Sequence, residues 1–167
     1  VVTASDWLWQ QVRDTTKAVL EPTCFSTREE KKFYVEGVDT ASTLDFQRLR
    51  TFRQIVLFGT PDDRFVREAM ESADLDPEEV SPPKVFDTSN LWADGQHVIV
   101  AVLDPEQAGD SWTRMLPEVA SRADDWYRTF VRGRMYVSGV DSAAMDSLRR
   151  QFGFHLRFPT VYDVVVR

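Results

Sequence analysis

The chain has 167 residues, 43% of them hydrophobic and 12% aromatic, which is enough to bury one ordinary core and too little to require two. A net charge of −7, with 20 basic residues scattered among 27 acids, excludes a counterion-releasing surface for nucleic acid. No stretch approaches the roughly 18 apolar residues of a bilayer-spanning helix, and Cys24 is the chain's single cysteine, so neither an internal disulfide nor a thiolate metal cluster is expected.

In chain order, Val1 to Ala4 reads as a short β-branched strand, and Ser5 with Asp6 supplies a cap and first-turn acid for a helix. Leu8, Val12 and Val19 recur on one face of that helix, and Pro22 ends it. Trp7 and Trp9 lie about 200° apart by ideal helical geometry, so one of them should leave the core; Trp7 is the candidate. Lys32 to Val38 is read as a strand and Ser42 to Arg50 as a short helix. Gln54 to Phe58 is an apolar strand, followed by Thr60 and Pro61 as cap and first residue of a helix whose buried stripe holds Phe65, Val66, Ala69, Met70 and Ala73.

Lys84 to Leu91 and His97 to Leu103 form two strands joined across Ala93-Asp94-Gly95-Gln96, an Asp-Gly hairpin signal. Asp104, Pro105 and Gln107 cap a long helix with Trp112, Met115, Leu116, Val119, Ala123, Trp126, Tyr127 and Phe130 at core spacing, bent by Pro117; Arg122 is expected outside that stripe. A last helix runs from Asp141 to a left-handed stop at Gly153, and Phe154, Leu156 and Phe158 alternate as a half-exposed strand.

These elements predict an α+β fold: a mixed, largely antiparallel sheet with helices mainly on one face. Residues 54–158 would form a ferredoxin-like βαββαβ arrangement with an N-terminal βα addition. Residues 1–167 are expected to be a single domain. Because Val1 and Val164 to Arg167 read as strands rather than polar tails, the chain is expected to belong to a longer polypeptide.

Phe52-Arg53-Gln54-Ile55-Val56-Leu57, then Asn90-Leu91-Trp92-Ala93 with Gln96, then Gln151-Phe152-Gly153-Phe154 running to Phe158-Pro159 and Tyr162, form an ordered set. With the early Trp7, that set resembles the N-terminal half of the bacterial lipoprotein family catalogued as domain of unknown function 4837. The resemblance implies an extracytoplasmic location on a lipid anchor outside these 167 residues. It carries no catalytic residue, and it departs at Phe52, where the family often has His, and at Phe25-Ser26-Thr27-Arg28-Glu29, where the family has a Leu-Pro-Gln type segment.

Cys24, His97 and His155 lack the count and spacing of a zinc site, and no Gly-x-Ser-x-Gly elbow exists, so neither a metal nor a cofactor is expected. Gly59-Thr60-Pro61-Asp62-Asp63 places acids where a helix N-terminus would otherwise hold phosphate. Candidate ligand-binding residues are Arg53, Trp92 and Gln96, within the family-like motifs, and Trp7 as a spare indole. The expected function is a noncatalytic binding or assembly module of the envelope, with an envelope protein or small ligand as partner. The alternatives are a carboxylate-dependent hydrolase or other enzyme, and a purely structural half of a larger protein.

Overall fold

Ile55 to Phe58 and Val98 to Val102 are unbroken apolar runs, the pattern of strands covered on both faces. The computed structural model describes residues 1–25, 28–39, 47–49 and 51–161, and there these runs are the two central strands of a mixed sheet. Its strands are β1 (Val2–Ala4), β4 (Gly37–Asp39), β5 (Gln54–Gly59), β6 (Lys84–Ser89) and β7 (His97–Val102), in the order β4-β1-β5-β7-β6. A separate exposed ribbon pairs β2 (Thr23–Phe25) with β3 (Glu29–Lys31). Among the described residues the longer helices are α1 (Asp6–Leu20), α2 (Arg64–Ser72), α3 (Ala108–Met135) and α4 (Ser142–Phe152), and 47–49 is also helical.

The α+β class and the mixed sheet are as expected, but the pairing is not. β4, β1, β5 and β7 are mutually parallel, and only β6 runs antiparallel, against β7. Helices cover both faces rather than one. Alternate residues of each strand send Val2, Val56, Phe58, Ile99 and Ala101 to α1 and α3, and Ile55, Leu57, Val98, Val100 and Val102 to α2. The ferredoxin-like order over 54–158 does not form, because β5 pairs in parallel with β7 across a crossover through α2 and β6. Its last strand is also missing: 154–158 belongs to no strand.

The chain divides into two compact units, Val1–Ala123 and Asp124–Arg167. In the first, Trp112 is fully buried, stacks on Phe58 at 4.0 Å and donates its indole N–H to Thr16 Oγ1 at 2.7 Å. The α1 stripe holds Leu8 and Val12 as expected and continues through Thr16 and Leu20, whereas Val19 is exposed. In the second unit, Asp141 caps α4 by accepting from Ala144 N at 2.9 Å, and Gly153 ends it at φ 74°. The expected core stripe of α3 stops at Ala123: Trp126 and Phe130 are half-buried and stack on each other at 5.1 Å. Residues 154–158 are instead tied by the backbone bonds Asp141 N to Phe158 O, 3.1 Å, and Thr160 N to Gly139 O, 3.2 Å. The strand expected at 164–167, Tyr162 and most of the 42–50 helix lie outside the described residues.

Candidate functional site

The sheet order reverses between β1 and β5, and in open sheets of this kind ligands bind outside the carboxyl ends of the strands at that point. Phosphates usually sit there on helix N-termini. In this chain a carboxylate already occupies those of α2. Asp63, not Thr60, caps α2: its Oδ1 accepts from Phe65 N at 2.9 Å and Val66 N at 3.2 Å. Asp104 Oδ1 accepts from Glu106 N at 3.0 Å in the turn that leads into α3, so the helix starts at Ala108 rather than beside Asp104. Asp6 stands in the first turn of α1 and Asp110 in that of α3, whereas the Ser5 hydroxyl makes no capping bond. Acids thus stand at the start of α1, α2 and α3, where they complement the helix dipoles.

Between the N-terminal turns of α1 and α3 lies an open cleft of about 370 Å³. Trp7 and Gln11 line one side, and Pro105 to Asp110 the other. Trp7 is 62% exposed, a large value for an indole. The two walls approach each other at the floor, where the Gln11 amide lies close over Gly109. Glu106, Gln107 and Asp110 are exposed along the α3 side. The lining contains two carboxylates, two amides and an indole, with no Lys, Arg or His.

The chain matches no family model, no curated protein and no solved structure.

The other three sequence candidates gather at the opposite, amino end of the strands. Gln96 is 2% exposed; its Nε2 donates to Leu49 O and Phe52 O, both at 2.9 Å, and its Oε1 accepts from Trp92 N at 3.2 Å. It therefore staples the turn before β5 to the β6–β7 turn. Trp92 is 7% exposed and meets Phe65 edge-on at 5.6 Å. Arg53 is exposed; its carbonyl accepts from His97 N at 2.8 Å, and its guanidinium covers Gly95, whose φ of +71° closes the Asp-Gly turn. Burial of Gln96 and Trp92 makes them parts of the core rather than walls of a site. Trp7 stands apart from all three.

Sequence reasoning missed one constellation, at the β6–β7 edge. Asp87 lies 3.4 Å from His97 Nε2 and accepts from Arg122, which also donates to Glu118 Oε1 at 2.8 Å and 3.0 Å. Arg122 is thus held in a network rather than left in solvent. Antiparallel register supplied the only signal, since pairing Asp87 with Ile99 brings His97 diagonally onto the same face. Burial pushes His97 below its ordinary value, with Asp87 opposing, so the ring favours its neutral form. Cys24 is exposed on β2, and His155 is exposed in the second unit. Among the described residues, no group of three or more His, Cys, Asp or Glu side chains is placed to hold a metal ion.

Proposed function

We propose that this chain is a noncatalytic binding module of a lipid-anchored protein of the bacterial envelope, and that it binds through the Trp7 cleft. The observation that carries the reading is the 62% exposed indole of Trp7 on the wall of an open cleft at the carboxyl end of the sheet. Amphipathic aromatic side chains left in water beside hydrogen-bonding groups are characteristic of recognition surfaces. The envelope location rests on the family resemblance of the ordered motifs from Phe52 to Tyr162.

A photo-crosslinking residue at Gln107 of the full-length protein, illuminated in cells, tests this. A specific adduct in the membrane fraction, lost on Trp7→Ala, is expected. A full-length product found in the cytosol, or one forming no Trp7-dependent adduct, would contradict the proposal.

A further inference from the structure

We infer that the partner of the Trp7 cleft is a basic peptide segment, with a lysine or arginine side chain seated over the Trp7 indole; this rests on the binding reading above. The face of an indole attracts a cation, most strongly when carboxylates stand nearby and no competing cation is present. The cleft meets those conditions. Trp7 is 62% exposed, Glu106 and Asp110 line the facing wall, and the lining holds no basic residue.

Charge complementarity extends beyond the cleft. The chain's net charge is −7, and Asp6 and Asp104 stand at the carboxyl end besides the two acids in the wall. Such a field draws a cationic segment in and turns acidic ones away. An anion would find the N-terminal donors of α2 already engaged by Asp63. The Gln107 amide is exposed in the same wall and offers both a donor and an acceptor, which suits a peptide backbone flanking the cationic side chain. A volume of about 370 Å³ accommodates one long side chain with part of its backbone.

The test follows the indole N–H signals of the full ¹⁵N-labelled chain by NMR, with the Trp7 signal assigned through Trp7→Phe. Three probes are titrated: acetylated and amidated tri-lysine, the corresponding tri-glutamate, and maltotriose as a neutral ligand. Tri-lysine should move the Trp7 signal saturably, and tri-glutamate should leave it in place. A Glu106→Gln, Asp110→Asn double variant, whose other indole signals report that it is folded, should bind tri-lysine roughly three- to tenfold more weakly. Equal binding by the double variant would overturn the inference, because attraction would then come from net charge alone. If maltotriose moves the Trp7 signal and tri-lysine does not, the cleft remains a binding site and the basic partner is wrong. If no probe moves it, both readings fall.

Discussion

At the amino end of the sheet, Gln96 commits all of its described hydrogen bonds to the backbone of two turns, and Trp92 fills the space beside it. At the carboxyl end, Trp7 faces water and the carboxylates beside it line an open cleft. Each end carries loop residues and a tryptophan, and at each a side-chain end lies close over a glycine, Arg53 over Gly95 and Gln11 over Gly109. Satisfaction of polar groups separates them. A buried amide with its partners in place is part of what holds the fold, whereas an exposed indole with unburied acids around it is available to something else.

That contrast can be broken by substitution. The largest effect is expected at Trp112→Ala, about 3 to 5 kcal/mol by urea denaturation, because it empties the space against Phe58 and removes the buried bond to the Thr16 hydroxyl. Gln96→Ala should cost about 2 to 4 kcal/mol by the same measurement, since it removes three buried bonds, to the Leu49 and Phe52 carbonyls and from the Trp92 N–H. A near-neutral result there would mean that the amino end is not the closed one. Trp126→Ala, half-buried and outside the sheet core, should cost about 1 to 2 kcal/mol.

The pH dependence sharpens the same picture at the β6–β7 edge. Burial holds His97 below its ordinary 6.5, so in that window the unfolded chain binds the proton more tightly than the folded one. Stability contributed by neutral His97 is complete above pH 6.5 and is lost as pH falls toward the lower folded value. Replacing His97 by Gln should flatten the stability profile between pH 5 and 7; an unchanged slope would assign the acid sensitivity to other groups.

Much of the local structure was legible in the sequence: the apolar runs of β5 and β7, the Asp94-Gly95 hairpin, the Gly153 stop and the exposure of Trp7 opposite Trp9. The parallel pairing was not. It depends on β1 docking against β5 from more than fifty residues away, and nothing in either segment's periodicity specifies a partner. The unbroken apolar character of Ile55 to Phe58 did signal two covered faces, and assuming a hairpin-built sheet hid that meaning. Phe154, Leu156 and Phe158 alternate correctly for a strand, yet alternation cannot supply a neighbour to pair with. At the sites, polar residues in the motif-like segments looked like ligand groups because sequence does not reveal where an amide's hydrogen bonds go. Gln96 and Arg122 both found partners far along the chain.

The account stands most directly on Trp7, and one paired measurement on Trp7→Ala tests it: the urea midpoint of the variant, and the yield of its Gln107 photo-adduct in the membrane fraction. An indole free of the core predicts a stability within about 0.5 kcal/mol of the unsubstituted protein, with the adduct lost. A midpoint that falls as far as that of Gln96→Ala, with the adduct retained, would show that Trp7 serves the fold and that the carboxyl-end cleft is not where this protein binds.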